Sequence, residues 1–406
     1  MALNIPRISF EKALLISTLY ISQSVPVSFI KTGFQVFLKS QNIPYDSISK
    51  LMGLLLLPWA IKFLWAPLVD RFGNKRFGHR KSWILPLQIA GALVLAIAAF
   101  LELESQLTQA FVLFLIYSFL CATQDIAVDG LAVLSLSKKQ HGVGNSMQMG
   151  GYYLGELLGG ATILIVFDRF GWTASILALA LFFLMPLPFI RRFKEPAAEV
   201  PERKEKVSFS RIGSFIWKEN KVWMFLVFLY MGNQILARTL LPTLLEERHY
   251  THSEIGFTIG VLGNGASIIG AVLGGILMES FGRKRSLITY GLLKIPAFFL
   301  LLLVPNPEVG EAWVLFGIFT NDFLAGLATV ALFTVMMDRS NPESPGTDFT
   351  IQHSFNAIGV LFFVILSGIL LKHYGMEGLV TGSTLIGILA VGLVTLLRFP
   401  KSDSAA

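Results

Sequence analysis

A chain of 406 residues that is 54% hydrophobic and only 15% charged, with mean hydropathy +0.65, is too apolar for an ordinary soluble domain, which carries about 25% charged residues. Its net charge of +7 is dispersed over alternate loops, which excludes a nucleic-acid-binding protein. One cysteine, Cys121, and six histidines in no metal-ligand spacing predict neither a disulfide framework nor a metal or other cofactor.

Apolar stretches near the roughly 20 residues needed to cross a bilayer predict twelve spans. They fall at 11–37, 47–68, 83–102, 109–134, 143–167, 172–190, 221–245, 253–278, 286–304, 312–337, 347–371 and 376–397. The first is too long for the apolar core of a cleaved signal and reads as a span. Arg7, Lys12, Arg71, Arg76, Arg80, Lys81, Lys138, Lys139, Arg283, Lys284, Arg285, Arg339 and Arg398 fall in alternate loops. By the positive-inside rule those loops are cytoplasmic and both termini lie inside. The expected fold is therefore an all-α polytopic membrane protein. Residues 1–190 form one six-helix half and 221–406 the other, joined by a charged, proline-containing cytoplasmic linker at 191–220.

The halves read as copies. Leu19–Gln23 matches Leu229–Asn233, Asp70–Gly73 matches Glu279–Gly282, Gly130–Val133 matches Gly326–Thr329, and Gln148 and Gly155 match Gln352 and Gly359. Parallel repeats with polar residues in their spans describe a transporter whose two halves rock about a central site.

Taken in order, the polar residues inside the spans are the candidate site. Span one carries Gln23 and, in its outer half, Lys31; span two carries Lys62 at an inner depth. Span four carries Gln124, Asp125 and Asp129. A carboxylate within a membrane costs on the order of 2.5–3.5 kcal/mol and is usually paired and turned to a cavity. Two of them four residues apart share one helix face. They either take up a coupling proton or form a permanent ion pair with Lys62, and an Asp–Lys pair broken by protonation would do both. Span five adds Gln148, Tyr152 and Glu156, the last expected either to couple protons or to bond between helices. Gly155 and Gly159 form a small-residue packing face beside it. Span seven adds Asn233, Gln234 and Arg238, span ten Asp322, and span eleven Gln352 and Asn356. Lys31 and Arg238, on repeat-equivalent spans, would draw an anionic solute by Coulomb attraction, or else snorkel to the interface. The amides would bond a sizeable polar solute or join helices. His353 reads as a bonded helix residue, and Lys294 in span nine awaits a partner.

The run Gly275-Ile-Leu-Met-Glu279-Ser-Phe-Gly282-Arg283-Lys-Arg resembles the G-x-L-x-D-R-x-G-R-K/R loop of the major facilitator superfamily, with Glu for Asp and Ser for Arg. Its first-half counterpart, Lys62-Phe-Leu-Trp-Ala-Pro-Leu-Val-Asp70-Arg71-Phe-Gly73, together with Cys121-Ala-Thr-Gln-Asp125-Ile-Ala-Val-Asp129-Gly, resembles the branch of muropeptide permeases and acetyl-CoA transporters. Arg80–Gln88, Gly144–Gln148 and Gly346–Gln352 look more like bacterial inner-membrane siderophore permeases of the pyochelin and rhizobactin type. The resemblance implies alternating access, with Asp70, Arg71, Glu279 and Arg283 as gating residues that lock the halves together at their cytoplasmic ends.

The expected function is proton-coupled import of a siderophore, as its ferric complex, across the bacterial inner membrane. Alternatives are uptake of another large anionic solute, such as a muropeptide or a CoA thioester, or export of a drug or metabolite. The partners are then a small-molecule substrate, protons and the bilayer, with the chain a monomer. No nucleophile–base set or metal cluster suggests an enzyme, and no ATP-binding loop of the G-x-x-x-x-G-K-[S/T] form occurs. The short linker disfavours a receptor.

Overall fold

The computed structural model describes residues 7–399 apart from 42, 75, 104, 196–208 and 305. Much of the expected linker, 196–208, thus lies outside the described residues. Regular structure among the described residues is helical, apart from a lone bridge between Asn74 and Gly78.

In the first half, α1 (Phe10–Ser40) is followed by α2 (Tyr45–Ile61), which passes through a tight turn at Lys62–Leu64 into α3 (Ala66–Arg71). Then come α4 (Lys81–Ala99), α5 (Leu107–Ser135), α6 (His141–Leu157), α7 (Ile163–Phe183) and α8 (Leu187–Arg192). The short α9 (Phe209–Gly213) lies in the linker region. The second half contains α10 (Lys221–Leu229), α11 (Gly232–Arg238), α12 (Leu241–Glu247), α13 (His252–Phe257), α14 (Asn264–Phe281), α15 (Arg283–Leu301), α16 (Glu311–Asp338) and α17 (Pro345–Leu396).

Among the described residues, nine helices are long and apolar enough to cross a membrane. The expected twelve crossings are reconciled with that number by three features. α17 contains spans eleven and twelve, joined at Gly375 with φ 60°. α6 is only 17 residues long, and α15 carries Arg283, Lys284, Arg285 and Lys294, which make it more polar than a simple span. Gly171, with φ 75°, makes the equivalent turn between spans five and six. A left-handed φ is open to glycine at no steric cost, so both glycines permit a connection tight enough to leave the helix almost uninterrupted.

Span seven is not the single helix expected over 221–245. It breaks at Tyr230–Met231 and again before Leu241. Pro242 opens α12, where its missing N–H costs nothing. At the first break the Lys294 Nζ donates to the Tyr230 carbonyl at 2.7 Å and lies 4.6 Å from the ring centroid. The partner that Lys294 lacked is a carbonyl freed by a broken helix.

The buried apolar side chains divide in a way that describes the shape. Leu15, Leu19, Ile126, Ala127, Val128, Leu131, Met149, Leu226, Val227, Leu229, Met278, Leu287, Val335 and Phe349 belong to one continuous core shared by both halves. This core lies toward the end that bears Arg80, Lys138 and Arg283, here termed the basic end. Toward the other end there are two separate cores. One runs from Val25 to Phe183 entirely within the first half; the other runs from Leu240 to Leu379 entirely within the second. Apolar contact is thus continuous at the basic end and divided at the opposite end.

Close helix approach builds the first half. A Cβ on Gly155 would lie 2.2 Å from Ser24 Cβ, and one on Gly159 2.0 Å from the Val25 carbonyl. The small-residue face expected from sequence is the surface that packs on α1.

Candidate functional site

The innermost cluster forms around Lys62. Helix α2 ends at Ile61, and the turn that follows sends the Lys62 side chain, fully buried, against α5. Its ammonium donates to Asp125 Oδ2 and lies 3.7 Å from Asp129 Oδ2. Asp125 and Asp129 present the same face of α5, as their spacing requires. Asp129 is fully buried, and its Oδ1 accepts from the Tyr20 hydroxyl at 2.7 Å and from Gln148 Nε2 at 3.3 Å. Three helices therefore converge on one carboxylate. One ammonium balances two carboxylates, which leaves a buried group one proton short of neutrality. His353, on α17 of the other half, completes the cluster: an atom of Asp125, one of Asp129 and a ring nitrogen of His353 all lie within 4.8 Å of one another. With the Lys62 ammonium already between the carboxylates, the set is suited to holding a proton.

A second group of charges lies farther from the basic end. The Tyr152 hydroxyl donates to Glu156 Oε1 at 2.6 Å, and Lys31 Nζ stands 3.2 Å from that hydroxyl and 3.4 Å from the same carboxylate oxygen. In the second half, Arg238 Nη1 lies 3.0 Å from Asp322 Oδ1. Lys31, Glu156 and Arg238 keep 31%, 25% and 27% of their side-chain surface exposed, whereas Asp322 keeps 2%. The geometry corrects the expected field. Each cation is matched by a carboxylate, so the two pairs are together neutral and offer no net attraction to an anion.

The third group ties the halves at the basic end. Asp70 pairs with Arg80 and accepts from the backbone N–H groups of Gly346 at 3.2 Å and Thr347 at 2.6 Å, in the first turn of α17. Glu279 pairs with Arg283 at 2.7 Å and accepts from the Gly142 N–H at 3.2 Å, in the first turn of α6. Each acid caps the N-terminus of a helix in the opposite half, where the macrodipole favours negative charge. Arg283 also bonds Asp338 at 2.7 Å and the Lys138 carbonyl at 2.6 Å. His141 Nδ1 meets Asp338 Oδ1 at 2.6 Å, and Ser146 Oγ donates to the Ala271 carbonyl at 2.8 Å.

Arg71 does not take part in these contacts as expected. It is exposed, 5.4 Å from the Phe72 ring centroid, and Arg80, 3% exposed, occupies the interface instead. The Arg80 guanidinium lies across Gly130. Beside it, burial and then the neighbouring Arg80 hold the His79 imidazole below its ordinary pKa, which favours the neutral ring.

Several expected solute ligands have other partners. Gln124 donates to Gln88 Oε1 within the first half. Gln352 accepts from Trp223 and donates to the carbonyls of Met336 and Asp348. Asn233 donates to Ser383 and Asn356 to the Val227 carbonyl. These amides join helices, a task equally open to any amide inside a span. Gln23 Nε2 and Gln234 Oε1 are buried with no hydrogen-bond partner among the described residues. Tyr20, His141 and Asp338 are participants that sequence reasoning missed; Arg80 was read only as a loop charge, and His353, read as a bonded helix residue, has no hydrogen-bond partner for its Nδ1 among the described residues.

Residues 16–362 match the model of the Major Facilitator Superfamily. The chain belongs to that superfamily and is a multi-pass membrane transporter. Among curated proteins, it is 26% identical over 362 residues to the anhydromuropeptide permease of Escherichia coli (strain K12), covering 87% of this chain and 73% of that one. It is also 26% identical over 397 residues to the putative transporter AmpG 4 of Rickettsia conorii, covering 93% and 94% of the two chains. Its fold matches a bacterial homologue of the iron transporter ferroportin in an outward-facing state, with a TM-score of 0.73 at 15% identity over 96% and 99% of the two chains. The Escherichia coli fucose:proton symporter FucP superposes with a TM-score of 0.68, also at 15% identity, over 95% and 97%. Structural matches at identities this low speak to the fold alone.

Proposed function

We propose that the chain is a bacterial inner-membrane importer of large polar solutes of the muropeptide kind, driven by protons and working by alternating access. The observation that carries this reading is the division of the apolar core, continuous at the basic end and split at the other, with buried charges between. By the positive-inside rule the basic end is cytoplasmic, which makes the described arrangement outward-facing. A solute enters between the Lys31–Glu156 and Arg238–Asp322 pairs. Those pairs can exchange partners with a solute that carries both charge signs and many hydroxyl and amide groups. Beneath them, the Lys62–Asp125–Asp129 centre takes up one proton and releases it when the inner side opens. The latches at Asp70 and Glu279 keep that side shut until then.

The curated relatives named for muropeptides favour this solute over the siderophore expected from sequence. The neutralised cations remove the electrostatic argument for a ferric siderophore. Proteoliposomes holding the purified protein, acidic outside, separate the two readings. Labelled anhydromuropeptide should accumulate and compete with unlabelled anhydromuropeptide. Accumulation of a labelled ferric siderophore, with none of the muropeptide, would restore the siderophore reading.

A further inference from the structure

The cluster around Lys62 draws its members from both halves, and one of them has no assigned task. Lys62, Asp125, Asp129, Tyr20 and Gln148 all come from the first half. His353 alone comes from the second, on α17, which packs against α2, α3 and α5. Its ring nitrogen is within 4.8 Å of a carboxylate oxygen of each aspartate. Its Nδ1 has no hydrogen-bond partner among the described residues, and neither does Asp129 Oδ2. The ring also meets Phe333 of α16 at 5.4 Å and Phe349 of its own helix at 6.5 Å between centroids, and it lies in electrostatic range of the Lys62 ammonium. Asp348, five residues earlier on α17, is occupied by Arg211, Asn341 and Ser344. Asp70 is occupied by Arg80 and the α17 N-terminus.

We infer that His353 is the residue through which proton binding at Asp125 and Asp129 is linked to closure of the cytoplasmic side. The inference rests on the proton-coupled reading above and adds the second half to it.

The charge balance gives the sign. With the inner side closed and the imidazole neutral, two carboxylates and one ammonium leave a buried charge of minus one. One added proton, held by the imidazole or shared with a carboxylate, brings the cluster to neutrality. Opening the inner side separates the halves, so His353 leaves the carboxylates and water reaches them. The closed state therefore holds one proton more than the open state, and acid favours closure. In the transport cycle the proton enters from outside, stabilises the outward-facing state, and leaves as α17 withdraws.

The test needs no solute. Spin labels at Arg76→Cys and Glu343→Cys, both exposed, report the distance between halves at the cytoplasmic end in the full-length protein in nanodiscs, with Cys121 replaced by Ala. Because His141 pairs with Asp338 at the same end, His141→Gln serves as the background. In that background the short-distance population should rise as pH falls, as the cluster takes up its proton. His353→Gln should abolish the response or move its midpoint by at least one pH unit. His353→Arg, charged at every pH, should hold the short distance even at the alkaline end. His353→Asn serves if the Gln variant does not fold. A His353→Gln response identical to the background, alongside a flat Asp129→Asn response, would overturn this inference and leave the coupling reading intact. A background that does not respond to pH at all would overturn both.

Discussion

At Lys62 a single buried ammonium serves two carboxylates. Removing one partner of a buried ion pair is costly, on the order of 3–5 kcal/mol, because a charge is left uncompensated. Lys62→Met should therefore lower thermal stability in detergent markedly, and Lys62→Met with Asp125→Asn should recover much of the loss. Equal melting of the single and double variants would show that the ammonium does not compensate Asp125. The two aspartates were legible in the sequence because carboxylates inside an apolar run are costly unless paired, and helical spacing puts both on one face. Lys62 was legible by its depth. Tyr20 and His353 were not, since a tyrosine or histidine in a span carries no mark of a partner more than a hundred residues away. Arg71 was chosen over Arg80 because it adjoins Asp70 in sequence, whereas the fold of the loop decides which guanidinium returns to the carboxylate. Lys294 found its partner in a main-chain carbonyl, which no residue pattern announces.

At the level of elements, helix N-termini and close glycine contacts join the halves at the basic end. An anion at a helix N-terminus contributes about 0.3–1 kcal/mol when exposed and up to about 2 when partly buried. Asp70→Asn keeps the shape, loses the charge, and should shift the closed-to-open ratio at the basic end several-fold toward open, read as inter-spin distances. An unchanged distribution would show that the cap on α17 does not hold the gate. The glycines of α14 act by absence. A Cβ on Gly275 would lie 2.0 Å from Ser146 Oγ and 2.4 Å from the Gly142 carbonyl, so Gly275→Val should wedge the halves apart and abolish outward opening. Gly53, with nothing within 4 Å of its Cβ, should accept alanine with normal transport. If both substitutions were equally tolerated, the contact between α6 and α14 would not be what closes the molecule. The spans themselves were legible because hydropathy reports length and apolarity. The breaks in span seven were not, because they depend on Lys294 and on the packing of Gly232 against Phe363.

For the whole molecule, repeats and hydropathy disclosed twelve spans in two halves. They did not disclose which end was closed. That follows from side chains meeting across the halves: one apolar core at the basic end, and two separate cores, with partly exposed charged groups, beyond it. The solute was the least legible feature. Lys31 and Arg238 looked like a trap for anions until their carboxylate partners, distant in sequence, were placed beside them. The central claim is that proton binding at Lys62–Asp125–Asp129 drives accumulation. It is tested most directly by uptake of labelled anhydromuropeptide into proteoliposomes with and without an acid-outside gradient, for the native protein and for Asp129→Asn. The account predicts accumulation above equilibrium only with the gradient for the native protein, and equilibration without accumulation for Asp129→Asn. Accumulation by Asp129→Asn equal to that of the native protein, or native uptake indifferent to the gradient, would contradict it.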